Sequence, residues 1–177
     1  MTAPPWMMPL ALSLTLLAGQ SRPSWRVNGS RVAVPPEAVH VLDGDTAVIR
    51  WMPADTETMR VLGIDTAELF GTKGHHPMDH MPQMTAAGAE ARGFARGAFA
   101  AARKIELLRS TRLDRYRRTL GYFFLDDRNY SVLVIEARLS EETISHYGDN
   151  GLPHEAAEVL EAAHRARQGH EAAAGAR

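Results

Sequence analysis

Cysteine is absent from the 177 residues of this sequence, and the formal net charge is only -1. The missing thiols exclude disulfides, thiol nucleophiles and cysteine-ligated zinc. The small net charge argues against a broad electrostatic attraction for nucleic acid, since that affinity scales with the number of phosphates neutralised. The chain also lacks internal repeats, a glycine-rich nucleotide loop and a serine–histidine–acid motif in a supporting context. Any binding of a polyanion must therefore be local.

An apolar run near the N-terminus, MMPLALSLTLLAG at residues 7–19, is too short to span a bilayer as a helix. It has the length of a signal peptide, and residues 19–21 offer a small-x-small cleavage site. No Lys or Arg precedes it, so a disordered or misassigned start stays open as an alternative. We expect residues 1–21 to be a signal peptide or N-terminal anchor, which implies a secreted or cell-envelope protein. Membrane anchoring would depend on this run alone.

Hydrophobic residues make up 45% of the chain, enough for one globular domain with a core. Prolines and scattered polar residues predict a linker over residues 22–36. We expect the folded domain to cover residues 37–169 and the tail, residues 170–177, to be disordered.

Apolar and β-rich runs alternate with turn signals along the domain. One strand ends at Leu42 and another begins at Thr46, so Asp43-Gly44-Asp45 between them predicts a hairpin. Further strands are expected at residues 58–64, from 105 to 108, and at 119–125, and helices at residues 86–104, 132–139 and 154–168. This order favours an α+β fold, a small closed barrel with helices on one side.

The segment from Met59 to Glu68 holds Arg60, Asp65, Thr66 and Glu68 where an apolar strand gives way to a loop. Active sites are often built at such places, although Asp and Thr also end ordinary strands. Side-chain alternation would put Arg60 and Asp65 on opposite faces of an ideal strand. A bulge at Gly63 would bring both to one site.

Residues 114–118, DRYRR, form the densest cationic cluster of the chain, between two predicted strands. A solvated turn would explain a basic run. Phosphate binding is the second explanation, because guanidinium groups match phosphate oxygens bidentately.

Residues 69–85 form a long irregular loop rich in histidine and methionine. Such side chains suit copper or nickel, but their spacing matches no closed zinc pattern. We favour a mobile loop beside the substrate, and a variant that responds to copper or nickel through this loop stays open.

Four segments together resemble the staphylococcal nuclease (thermonuclease) family over about residues 40–168: HVLDGDTAVIRW, MRVLGIDTAEL, the helix start GAEA and DRYRRTLGYFFLDD. The resemblance implies a five-stranded OB-fold barrel with about three helices. It also implies a monomeric, Ca²⁺-dependent phosphodiesterase that cuts single- or double-stranded DNA and RNA and uses no organic cofactor.

The resemblance also assigns roles to nine residues of this sequence. The metal ligands would be the carboxylates of Asp45 and Asp65 with the backbone carbonyl of Thr66, a donor set that suits calcium. Glu68 would be the general base for water, with Arg60 and Arg118 clamping the phosphate. The substrate-binding residues would be Arg115, Tyr116 and Tyr147.

The chain departs from the family pattern outside these nine positions. Ala67 replaces a proline, which should loosen the loop of Glu68. Arg117 and Arg138 stand where glycine is usual, and Glu141 and Glu142 where the family is often neutral or basic. Because folds outlive activities, the alternative is a non-catalytic OB-fold module that binds nucleic acid or a protein partner.

Overall fold

The computed structural model describes residues 25–71 and 83–175. Over these residues the fold is α+β, a curled half-barrel of mixed sheet with four α-helices. The strands are β1 (Arg31–Val34), β2 (Val39–Val41), β3 (Thr46–Met52), β4 (Asp55–Val61), β5 (Phe70–Gly71), β6 (Gln83–Met84), β7 (Ile105–Leu113), β8 (Thr119–Leu125) and β9 (Arg128–Asn129). The helices are α1 (Ala86–Ala101), α2 (Tyr130–Glu136), α3 (Ile144–Tyr147) and α4 (Pro153–Gly175).

The main sheet has the order β1-β7-β8-β4-β3-β2, with β9 added to β8. All neighbours are antiparallel except β4 and β8, which run parallel. The strands at the two ends of this order, β1 and β2, are consecutive in the chain and are joined by one 3₁₀ turn, Pro36–Ala38. A single bent segment therefore supplies both edges of the curled sheet.

The core lies inside the curl and is closed by the helices. Alternation along β4 turns Met59 and Val61 inward, while β8 contributes a continuous buried run from residue 121 to 125. Phe99 of α1 packs edge-on against Phe123, with ring centroids 5.1 Å apart. Val159 of α4 is fully buried against the same core.

Two predicted boundaries are wrong. The linker predicted over residues 22–36 contains β1, which pairs with β7 from Arg31↔Leu108 to Val34↔Ile105. The prolines mark a corner between β1 and β2 rather than a linker. The tail predicted to be disordered continues α4 as far as Gly175, because its alanines and glutamate are good helix formers.

The hairpin predicted at residues 43–45 is confirmed, with Leu42 N–H donating to the carbonyl of Thr46 at 3.0 Å. At Gly63 the structure has a turn instead of the expected bulge. Gly63 adopts φ 82°, and Val159 and Ile144 pack closely against it.

Among the described residues, no helix combines the length and the hydrophobicity needed to cross a membrane. The signal peptide or anchor predicted at residues 1–21 lies outside the described residues. Most of the histidine- and methionine-rich loop, residues 72–82, lies outside them as well.

Candidate active site at the end of β4

A cleft of about 640 Å³ opens where β4 ends, between the turn at Gly63, the β7–β8 turn and α3. All but two of the nine predicted site residues line it. They are Arg60, Asp65, Glu68, Arg115, Tyr116, Arg118 and Tyr147. The remaining two, Asp45 and Thr66, are buried next to this cleft, where Asp45 pairs with Arg60.

Asp45 is almost fully buried, and each of its carboxylate oxygens has two partners. Oδ2 accepts hydrogen bonds from the backbone N–H and the hydroxyl of Thr66, at 2.7 and 3.1 Å. Oδ1 accepts from the hydroxyl of Thr46 at 3.1 Å and pairs with Nη1 of Arg60. Burial raises the pKa of Asp45, although Arg60 and the Thr66 N–H act in the opposite direction.

Arg60 bridges two carboxylates that differ in exposure. Its Nη1 pairs with Asp45 and its Nη2 with Asp65, whose side chain is 60% exposed. The turn at Gly63 makes this possible by bringing Asp65 back towards β4. Ser140 braces the turn, because its Oγ accepts from the N–H of Asp65 at 2.9 Å. The two carboxylates therefore converge on one cationic group.

Tyr130 holds the turn that carries Asp45 from the core side. The Tyr130 hydroxyl donates to the carbonyl of Gly44 at 2.7 Å inside the core. A Cβ at Gly44 would lie 2.6 Å from Oγ1 of Thr66 and 2.8 Å from the Cβ of Ala91, so any other residue would displace the Thr66 side chain or α1. The close approach of these two segments fixes the hydrogen bonds between Asp45 and Thr66.

Helix α1 holds the backbone of Glu68, and the Glu68 carboxylate stays exposed. Thr85, the N-cap of α1, donates its hydroxyl to the Glu68 carbonyl at 2.6 Å and accepts from Gly88 N–H at 3.0 Å. A Cβ at Gly88 would lie only 2.2 Å from the same carbonyl. The loop that Ala67 was expected to loosen is therefore supported from the helix side.

Asp114 organises the β7–β8 turn around Arg118. Its Oδ1 accepts from the N–H groups of Tyr116 and Arg118, at 2.9 and 2.8 Å, and its Oδ2 accepts from Arg118 Nε at 2.6 Å. Burial opposes ionisation of Asp114, but these hydrogen bonds outweigh it and lower the pKa of Asp114. Arg118 Nη1 also lies 3.5 Å from the hydroxyl of Thr46, which links Arg118 to Asp45.

Two tyrosines present aromatic faces at the cleft, Tyr116 at 64% and Tyr147 at 73% exposure. The guanidinium of Arg115 lies over the Tyr116 ring, 4.7 Å from its centroid. Exposed aromatic rings beside cations are the elements on which unpaired bases stack.

The oxygen donors fit a hard cation, with one constraint. Asp45 and Asp65 already share the positive charge of Arg60, so a second positive charge would compete for the same oxygens. Within residues 25–71 and 83–175, no three His, Cys, Asp or Glu side chains are close enough to share a metal. A cation here would need backbone oxygen, water or substrate oxygen to complete its shell.

Several residues that shape this cleft were missed in the sequence. Thr46 and Asp114 stand inside the motifs, and the turn chemistry of Asp and Thr could have found them. Ser140, Thr85 and Tyr130 act from distant segments, for which the sequence gives no local signal.

None of the five residues that depart from the expected motifs lines this cleft, although Arg117 lies between Tyr116 and Arg118, which do. Arg117 and Arg138, where the resemblance leads us to expect glycine, adopt φ 64° and 59°, a backbone conformation that favours glycine. Arg138 lines a separate cavity of about 590 Å³ between α2 and α4, together with Glu141 and Glu142. None of the nine predicted site residues lines that cavity.

No protein-family model matches the chain, and no curated protein matches it significantly. A functional assignment therefore depends on the motifs and on the geometry of the cleft.

Proposed function

We propose that the chain is a calcium-dependent phosphodiesterase that hydrolyses DNA and RNA, of the staphylococcal nuclease type. The observation that carries the proposal is the convergence of carboxylates, arginines and tyrosines on one cleft. These side chains come from three separate parts of the chain, around residues 60–68, 115–118 and 147. A charged, partly aromatic cleft suits a phosphate with an attached base.

We also propose that the half-barrel is an OB-fold. Supporting this, the two edges of the sheet belong to one bent segment, residues 31–41, as expected when a single first strand takes part in both halves of a barrel. The cleft lies beside β4 and β8, on a barrel face of the kind that OB-folds use for nucleic acid.

A calcium ion would be held by the carboxylates of Asp45 and Asp65 and the backbone carbonyl of Thr66, and it would neutralise charge on the substrate phosphate. The Asp45 carboxylate is positioned for this by Thr46 and Thr66.

Arg118 is prepared to bind a phosphate oxygen. Asp114 binds its Nε, which orients the guanidinium plane. Nη1 makes a long contact of 3.5 Å with the Thr46 hydroxyl, so both terminal nitrogens can still donate to a phosphate. Arg60 would donate to the same phosphate when it is not paired with Asp45 and Asp65. Donors fixed in place stabilise the charge that develops on phosphate oxygens during hydrolysis.

Glu68 extends an exposed carboxylate into the cleft from a backbone fixed by Thr85. It would accept a proton from the attacking water or hold that water in line with phosphorus. Tyr116, Tyr147 and Arg115 would bind the adjoining nucleotide.

The test is cleavage of single-stranded DNA by the full chain with calcium or with a calcium chelator, beside the variant Glu68→Gln. We expect cutting only with calcium, and a rate lower by about 10²- to 10⁴-fold in the variant, because that is the usual contribution of a general base. Glu141→Gln is the matched control, since it makes the same chemical change in the separate cavity.

Cutting that continues in chelator would contradict the proposal. If the folded chain binds DNA and cuts nothing, the non-catalytic binding module is the correct alternative.

A further inference from the structure

The β7–β8 turn carries more positive charge than the cleft uses. Arg112 at the end of β7 and Arg115 and Arg117 in the turn are all exposed. Arg115 lines the cleft, whereas Arg112 and Arg117 do not. Over the described ranges 25–71 and 83–175, no carboxylate forms an ion pair with any of the three. We refer to residues 112–117 as the basic turn.

The one carboxylate within the basic turn does not neutralise these arginines. Asp114 spends its oxygens on two backbone N–H groups of the turn and on Arg118. Asp114 therefore stabilises the turn, and it forms no ion pair with Arg112, Arg115 or Arg117.

The backbone conformation at Arg117 is unfavourable for an arginine. Its φ of 64° lies in the left-handed region, where glycine is favoured. A strained residue in a surface turn points to function, since strain persists where the side chain is needed. Arg117 does not line the cleft, so a phosphate that it binds would lie beyond the cleft.

The basic turn adjoins the rim of the cleft. Arg115 and Tyr116 line the cleft itself, and Asn150 lines it from the α3–α4 connection. Ser110 joins the two sides, because its hydroxyl donates to the Asn150 carbonyl at 2.6 Å and accepts from the N–H of Arg112 at 3.1 Å. Arg112 therefore lies just beyond the rim of the cleft, next to Leu113, which is 57% exposed.

We propose that the basic turn binds the backbone of a single-stranded nucleic acid beyond the phosphate held in the cleft. The inference rests on the proposed function and extends it. Exposed Tyr116 and Leu113 can pack against bases only where those bases are unpaired, which favours a single strand over a duplex. Strands several nucleotides longer than the cleft should therefore bind more tightly than short ones.

The test is the double variant Arg112→Gln, Arg117→Gly, in which the glycine also removes the strained backbone. Binding of oligothymidylates of about 3 and about 12 nucleotides is measured across a salt series in a calcium chelator, so that the strands are not cut. For the long strand we expect the salt slope to fall by about 1.4, since each lost phosphate contact on a single strand contributes about 0.7. Binding of the short strand should not change.

The matched control is Arg50→Gln, Arg103→Gln, which removes two other exposed arginines. Arg50 lies towards the far end of β3, and Arg103 lies just before β7, at the opposite end of that strand from the basic turn. We expect the control to retain the wild-type slope.

An equal fall in slope in the control would overturn the proposal, because it would reflect net charge alone. An unchanged slope in the test variant would also overturn the proposal. So would a test variant that still binds DNA like the wild type but no longer binds phosphatidylserine vesicles, because the basic turn would then bind a membrane surface.

Cleavage separates this proposal from the proposed function. If the wild type cuts the short strand while the test variant keeps the long-strand slope, the nuclease stands and the basic turn is wrong. If the wild type cuts nothing while the variant loses the slope, the basic turn stands and the nuclease is wrong.

Discussion

Two arginine–carboxylate groups on the same half-barrel differ in how far they are exposed to solvent. Arg109 and Glu57 form a bidentate pair, both bonds at 2.8 Å, with both side chains only 3% exposed. Trp51 adds a third donor to Glu57 at 2.8 Å. Arg60 instead divides its guanidinium between buried Asp45 and exposed Asp65.

The difference shows which charges can exchange partners. The pair of Glu57 and Arg109 is buried away from solvent, so no ion from solution can replace either partner. The pair therefore stabilises the fold. The cluster of Arg60, Asp45 and Asp65 opens into a cleft, so another cation or an anion can replace one of its members. We define the first as the closed pair and the second as the open cluster.

Breaking the closed pair should have the largest effect on stability. Glu57→Gln keeps the shape of the side chain but leaves the charge of Arg109 buried and unpaired, which costs about 3–5 kcal/mol. The free energy of unfolding, from urea titration, measures it. Asp65→Asn in the open cluster is the comparison and should cost less than about 1 kcal/mol, as exposed ion pairs do. Equal losses in both variants would remove the distinction.

Arg60→Gln should tighten calcium binding while it weakens catalysis. Without nucleotide, the guanidinium competes for the oxygens of Asp45 and Asp65. Its removal should raise the calcium affinity by about tenfold, since a neighbouring like charge is lost. Titration calorimetry measures this directly. A calcium affinity that falls in the variant would mean that Arg60 supports the metal site instead of competing with it.

Removing the support that α1 gives to Glu68 should lower kcat. Thr85→Val removes the hydroxyl that binds the Glu68 carbonyl and that also caps α1 by accepting from the N–H of Gly88. Loss of the bond to Glu68, about 1 kcal/mol, predicts a kcat lower by about fivefold. Thr85→Ser should keep the wild-type kcat. Ala67→Pro, which stiffens the same loop, should restore part of the loss. An effect on KM alone would show that Thr85 does not position Glu68.

Trp51→Phe should make the protein less stable to acid, which tests how the closed pair is held. Burial opposes ionisation of Glu57, but hydrogen bonds from Arg109 and Trp51 outweigh it and lower the pKa of Glu57. Stabilisation from a lowered carboxyl pKa is present above its unfolded value and is lost as pH falls through its folded value.

Removing the indole donor should cost about 1 kcal/mol near neutral pH. It should also raise the folded pKa of Glu57, so that acid unfolding begins at higher pH. Urea midpoints measured between about pH 7 and about pH 3 test this. An unchanged acid profile would mean that Arg109 alone sets the pKa of Glu57.

Local patterns predicted the parts of the fold that depend on local chemistry. The strand at residues 119–125 has the bounds expected from its aromatic run, and the Asp43–Asp45 hairpin forms as its glycine predicts. The meeting of Arg60 and Asp65 was also anticipated from Gly63, although through a turn rather than a bulge.

Long-range partners could not be predicted in this way. β1 was hidden because its pairing with β7 is decided some 70 residues later in the chain, by no feature of residues 31–34 themselves. Glu57 and Arg109 are separated by 52 residues, and Asp65 and Ser140 by 75. The sequence predicts which residues carry charge, but three-dimensional packing decides which of those charges are closed and which remain open.

The most direct test of the open cluster is the rate of single-stranded DNA cleavage across a calcium titration, for the wild type and for Asp45→Asn. The account predicts a rate that rises from background to saturation in the wild type and stays near background in the variant at every calcium concentration. Identical titration curves for the two folded proteins would contradict it, because Asp45 would then have no part in the chemistry of the cleft.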